Sequence, residues 1–177
     1  MSVARSIGAA LALVVALAAG AKAQPAAPAT PPDTEVLQTK AVHAVVLPMK
    51  GSYMQHPAAF ERLGAFFAGR GVESAGDPFG RYFSDPSVGE ADLVWEVGMP
   101  APADLTVETP FEIRDVPGTL AAVHVHRGPM EELGTAWSNL VQWVFANGYQ
   151  PAGPACQVFQ GGPMSGAVEL RLPVQKP

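Results

Sequence analysis

The chain has 177 residues, a formal net charge of −5 and a pI of about 5.3. That acidic balance, with no basic stripe, excludes a surface built for nucleic acid, because it repels phosphates. A single cysteine, Cys156, excludes an internal disulfide; in an oxidising compartment such a thiol is either buried or paired with another chain, and burial is the commoner state.

The chain opens with Arg5 as a short positive region, an apolar run over residues 7–20, and Ala21-Lys22-Ala23 before Gln24. This is the grammar of a cleaved secretory signal. The run is shorter than the ~20 apolar residues of a membrane span. The expectation is cleavage after Ala23 and a periplasmic or secreted protein with no stable membrane insertion. No cysteine directly follows the run to carry a lipid. Residues 24–33 are Pro/Ala-rich without apolar periodicity and read as a flexible linker. Residues 34–177 remain for one domain.

Within the domain, strands are predicted at residues 35–39 and 43–47 from their β-branched and apolar content, and Lys50-Gly51 ends the second. Pro57 suits a first helical turn; Phe60, Leu63, Phe66 and Phe67 recur at helical spacing, and Gly69 and Gly71 stop them. Strands follow at 78–83, closed by Ser84-Asp85-Pro86, and at 93–99. The plan then repeats. Strands at 111–114 and 120–126 precede a helix with the stripe Leu133, Trp137, Leu140, Val141 and Val144, ended by Asn147-Gly148. Strands at 155–160 and 168–174 finish the chain.

A constant offset of 77 pairs Glu35 with Glu112, Gly51 with Gly128, Phe60 with Trp137, Leu63 with Leu140, Gly80 with Gln157 and Tyr82 with Phe159. After a loop change the offset becomes 73 and pairs Glu96 with Glu169 and Pro100 with Pro173. Stripes, stops and strands that match together mark an internal repeat. The expected fold is therefore α+β: two pseudo-twofold-related β-α-β-β units, about 34–100 and 111–174. Each unit covers one sheet face with its own helix, which leaves a concave ligand groove between their other surfaces.

Gly76-Asp-Pro-Phe-Gly-Arg-Tyr-Phe-Ser-Asp-Pro86, Trp95-Glu-Val-Gly-Met-Pro100, His126-Arg-Gly-Pro129 with Leu133, Trp143 with Asn147-Gly-Tyr149, and Glu169-Leu-Arg-Leu-Pro-Val174 together resemble the GyrI-like small-molecule-binding domain. That family is also called the bacterial transcription-activator effector-binding domain. The resemblance covers about residues 34–174. It implies two β-α-β-β halves with a ligand groove at their junction. Relatives are fused behind DNA-binding domains, stand alone, or hydrolyse cyclopropane-containing genotoxins, and many bind bulky, often cationic, aromatic compounds. With a signal peptide and no DNA-binding segment read here, regulation or gyrase antagonism is not expected of the mature protein.

The resemblance also locates a departure. The family's groove carries a glutamate two residues before a tyrosine on the strand after the second helix; here these positions are Gln157 and Phe159. Period-two alternation puts both on one face, opposite Cys156 and Val158. An amide neither counters a cation nor transfers a proton as a carboxylate does. The candidate ligand-binding residues are Gln157 as polar anchor, Phe159 and Tyr82 as ring walls, and Gly80 as the space across from Gln157, with Tyr53, Trp95, Glu96 and Glu169 around them. Trp137 and Trp143 read as core. His124 and His126, two apart on one strand, suit a metal or haem ligand pair but lack a third partner, so no metal, cofactor or catalytic set is assigned. The first reading is an exported protein binding a hydrophobic or aromatic small molecule. The alternatives are a hydrolase of a strained or electrophilic ligand, with Glu96 or Glu169 as acid/base, and a peptide or protein interaction module.

Overall fold

A computed structural model describes residues 33–85, 87–163 and 166–177. The expected signal peptide, nearly all of the linker and the turn-closing Pro86 lie outside the described residues. The elements run β1 (Thr34–Gln38), β2 (Val42–Lys50), α1 (His56–Arg70), β3 (Phe79–Tyr82), β4 (Val94–Pro100), β5 (Glu112–Val116), β6 (Leu120–Arg127), α2 (Leu133–Ala146), β7 (Gln150–Pro151), β8 (Ala155–Phe159) and β9 (Ala167–Gln175). Both helices stop where glycine was expected to stop them. Gly71 (φ 63°) and Gly148 (φ 74°) adopt the left-handed backbone that ends a helix without a Cβ penalty.

All strand pairs are antiparallel, and the main path of the sheet is β1-β6-β9-β8-β3-β4-β2-β5, with the short β7 paired to β9. Exchanging β1 with β5, β2 with β6, β3 with β8 and β4 with β9 reverses this order onto itself. The centre of the reversal is the β3/β8 pair, where Gly80 faces Gln157. The two units β2-α1-β3-β4 and β6-α2-β8-β9 thus meet there. They are not closed separately, because β1 joins the edge of the second unit and β5 the edge of the first.

Both helices lie on one face. Ala59, Phe60, Leu63 and Phe67 of α1 and Leu133, Ala136, Leu140 and Val144 of α2 are buried. They pack with Val45, Leu47, Trp95 and Val97 from one half and Val168, Leu170, Leu172 and Val174 from the other. Fully buried side chains such as Leu63 and Leu140 each contribute about 1.5–3 kcal/mol. The other face has its own smaller core of Ala44, Val46, Phe79 and Val158. Phe79 lies flat across β4 because position 98 is glycine: a Cβ there would sit 2.3 Å from its ring.

The sheet must curl. Along the path β1 and β2 are six strand spacings apart, about 29 Å if flat, yet residues 39–41 reach at most about 14 Å. The β5–β6 connection, residues 117–119, has the same span to cross. The two connections meet as straps over the helix-free face. Thr39 N–H donates to Thr119 O (2.8 Å), and Thr119 N–H donates to Thr39 Oγ1 (2.9 Å).

Candidate functional site

α1 packs on β4 and β2, and α2 on β6 and β9. The central β3/β8 pair therefore lies between the helices, where it carries Tyr82 and Gln157. Gly80 stands opposite Gln157, and a Cβ at position 80 would lie 2.7 Å from Tyr82 Oη. Glycine thus lets the Tyr82 ring fold back along its own strand until its hydroxyl reaches the dyad. There Tyr82 Oη lies 2.8 Å from the Gln157 side-chain amide and 3.0 Å from His56 Nε2. His56 comes from the first turn of α1, with its Nδ1 bonded to the Tyr53 carbonyl.

The protons of this network can be assigned. A carbonyl only accepts, so His56 Nδ1 carries a hydrogen. Burial holds the His56 pKa below its usual value, only partly opposed by that backbone hydrogen bond. The neutral ring leaves Nε2 as an acceptor. One Tyr82 hydroxyl proton would then face two acceptors, Gln157 Oε1 and His56 Nε2. An amide keeps its shape when its ends are exchanged. With its NH2 toward Tyr82 the relay runs Gln157 to Tyr82 to His56, and the hydroxyl both accepts and donates once, leaving the amide oxygen free. Burial also raises the Tyr82 pKa well above its usual value, so the phenol stays neutral.

Aromatic rings enclose the relay. His56 lies 4.3 Å from Trp95 by ring centroids, and Tyr53 contacts Tyr82 edge-on at 5.1 Å. Phe159 is buried beneath α1 against Phe60, again edge-on at 5.1 Å. Trp95 is buried as well and donates from Nε1 to Gly51 O (2.9 Å). Tyr53, His56, Tyr82 and Gln157 are the partly exposed members. Helices rise on both sides of this strip, which makes it a valley with an aromatic floor and a polar centre.

The expected residues thus divide between two faces. Gln157, Phe159, Tyr82, Gly80, Tyr53 and Trp95 come together as expected, but on the helix-bearing face. The expectation that Gln157 and Phe159 would line a groove between helix-free surfaces is corrected. Alternation placed them together and opposite Cys156; it did not say which side the helices take. Glu96 and Glu169 lie on the helix-free face and are ion-paired. Glu96, 2% exposed, meets Arg81 Nη1 at 2.8 Å and Arg114 Nη2 at 3.4 Å. Glu169 pairs with Arg171 Nε and accepts from Gln160 Nε2. His126 Nε2 donates to Pro129 O (3.1 Å), and His124 Nδ1 bonds the Thr34 hydroxyl (3.3 Å). Among the described residues no three ligating side chains converge on a metal position. The sequence reading missed His56. The signal available was its place one residue before the helix-starting Pro57, one turn from Phe60.

An antiparallel sheet with two helices on one face and a polar site at its dyad defines an α+β ligand-binding fold. The family model for the GyrI-like small molecule binding domain matches residues 32–174, and the chain belongs to that family. A comparison with curated proteins gave no match. Among solved structures, the EcmrR C-terminal domain is similar with a TM-score of 0.71 and 17% identity, over 81% of this chain and 98% of that domain. EcmrR in its DNA complex gives the same TM-score and identity, but the match spans only 57% of that longer chain. A hydrolase from Listeria innocua has a TM-score of 0.58 at 15% identity, over 80% of this chain and 91% of its own. SAV2435 bound to tetraphenylphosphonium has a TM-score of 0.55 at 11% identity, over 81% and 94%. At these identities the likeness is one of fold. No helix among the described residues is long and apolar enough to cross a membrane.

Proposed function

We propose that this is an exported small-molecule-binding protein that takes a hydrophobic, aromatic and uncharged ligand on the β3/β8 pair between α1 and α2. The observation that carries this reading is the Gln157–Tyr82–His56 relay, partly open and ringed by aromatic side chains at the dyad. Flat rings stack on Tyr53 and Tyr82, while the free end of the Gln157 amide orients a polar group on the ligand. Membership of a small-molecule-binding family supports the ligand class, and the complex of SAV2435 with an aromatic cation supports its aromatic character. Charge is where this chain parts from such a relative, since Gln157 stands where the family places a carboxylate. The amino-terminal signal grammar supports export, and the palindromic strand order supports the 77-residue repeat. Turnover is not part of the proposal: Glu96 and Glu169 face away from the valley and are held by arginines.

The test is ligand binding read by thermal shift and calorimetry. A neutral polyaromatic that raises the melting temperature of the wild type should lose at least tenfold in affinity in Gln157→Ala. Tetraphenylphosphonium should bind the wild type weakly and gain at least tenfold in Gln157→Glu, where a carboxylate faces the cation. If neither substitution moves either affinity, the valley is not the site. Mass spectrometry of the protein recovered after expression should show Gln24 as its first residue; an intact residue 1–23 segment would refute export by cleavage.

A further inference from the structure

The helix-free face encloses a cavity that the valley does not use. It has a volume of about 850 Å³ and lies between the curled sheet and the two straps. Sites for small molecules span about 300–1,000 Å³. Its floor is mostly apolar, with Phe79 and Val158 at the centre and Pro100 and Pro173 at symmetric flanks. The cavity follows from the topology, because short straps across a wide sheet curve it away from them.

The charges around the cavity are arranged unequally. Across the floor the register places Glu96, Arg81, Cys156 and Arg171 side by side on β4, β3, β8 and β9. The lining includes the cations Lys40, Arg81 and Arg171 against one carboxylate, Asp77, in a chain whose net charge is −5. Asp77 is engaged, its Oδ1 accepting from Gly161 N–H (2.9 Å). Glu96 and Glu169 are not part of the lining; each holds one edge of a guanidinium, Arg81 and Arg171 respectively. A guanidinium has five N–H donors in a planar fork, and neither arginine has a buried donor without a partner. Both side chains are partly exposed, 15% for Arg81 and 27% for Arg171, and both line the cavity about one strand to either side of Cys156; Arg81 also lies over the Phe83 ring at 5.0 Å.

We propose that this cavity is a second binding site, for a molecule with an apolar body and one carboxylate, the carboxylate seated between Arg81 and Arg171. The carboxylates behind the guanidiniums hold the forks in place, and a ligand carboxylate accepts from both without displacing them. The apolar body lies on Phe79, Val158 and the two prolines, under the straps. This site is on the opposite face of the sheet from Gln157 and does not depend on the valley.

The experiment titrates the purified protein by calorimetry with octanoate and with 1-octanol, which has the same chain without the charge; neither carries an aromatic ring for the valley. The carboxylate should bind at least tenfold tighter than the alcohol. Arg171→Gln should erase that preference, and Gln157→Ala should leave it intact. Cys156, on the floor between the arginines, gives a readout in the wild type: saturating octanoate should slow its reaction with 4,4′-dithiodipyridine severalfold, whether or not an arginine variant folds. Equal affinity for acid and alcohol, an unchanged preference in a folded Arg171→Gln, loss of binding in Gln157→Ala, or an unprotected Cys156 would each overturn the proposal.

Discussion

Replacing Gly80 by alanine tests whether the glycine exists to let Tyr82 reach the dyad. Its φ is not positive, so alanine is compatible with the backbone. By itself the change should stabilise by about 0.4–1 kcal/mol, because it restricts the unfolded chain. Against this, the new Cβ would meet Tyr82 Oη at 2.7 Å and Cζ at 3.2 Å. The ring must swing away and lose its contacts to Gln157 and His56. Two such hydrogen bonds are worth about 1 kcal/mol each, less where water replaces the partner. The net expectation in the wild type is a loss of about 0.5–1.5 kcal/mol. In a Tyr82→Phe background the hydroxyl is gone and nothing holds the ring in place. There Gly80→Ala should be neutral or stabilising. Urea unfolding of the four proteins closes the double-mutant cycle, with an expected coupling of about 1 kcal/mol or more. Equal destabilisation by Gly80→Ala in both backgrounds would refute the argument.

Three further expectations concern the charged and titrating groups. His56 has a lowered pKa, so the unfolded chain takes up its proton first. Stability should be full above about pH 6.5 and fall as pH drops through the folded pKa; melting curves from pH 7.5 to 5 should be flatter in His56→Phe. Glu96→Ala leaves Arg81 without its closest carboxylate in a buried setting, and should cost about 3 kcal/mol in urea unfolding; a loss below 1 kcal/mol would show the pair to be effectively solvated. Burial pushes the Cys156 thiol up to about 11, against the pull of Arg171 and Arg81. At pH 8 iodoacetamide should modify it on the order of a hundredfold more slowly than an unfolded control, and comparable rates would mean the thiolate is stabilised after all.

Much of this protein is local and was legible as such. Helical spacing with glycine stops located α1 and α2 almost to the residue, because an apolar stripe and a left-handed terminus are properties of adjacent residues. Period-two alternation correctly put Gln157 with Phe159 and against Cys156. The 77-residue offset reads as placing Gly80 across a cleft from Gln157; the sheet instead makes them partners on adjacent strands, because the dyad passes between them. Which face the helices would cover was not legible. Both faces of β4 are buried, so the contrast between Trp95 and Glu96 does not separate core from solvent: Glu96 is buried too, in its pair with Arg81. The exchange of β1 and β5 between the halves depends on pairings 66 to 90 residues apart. The curl and its cavity follow from that exchange, through straps too short for a flat sheet. His56 also gained its role only from the fold, because a strand and a helix turn had to meet over a glycine. The amino-acid sequence by itself determined where both helices and most of the strands lie, which neighbouring residues and their periodicity settle. Only the tertiary structure decided which side of the sheet those residues face and what they touch, because long-range strand pairing and burial choose between two faces that alternation leaves equivalent.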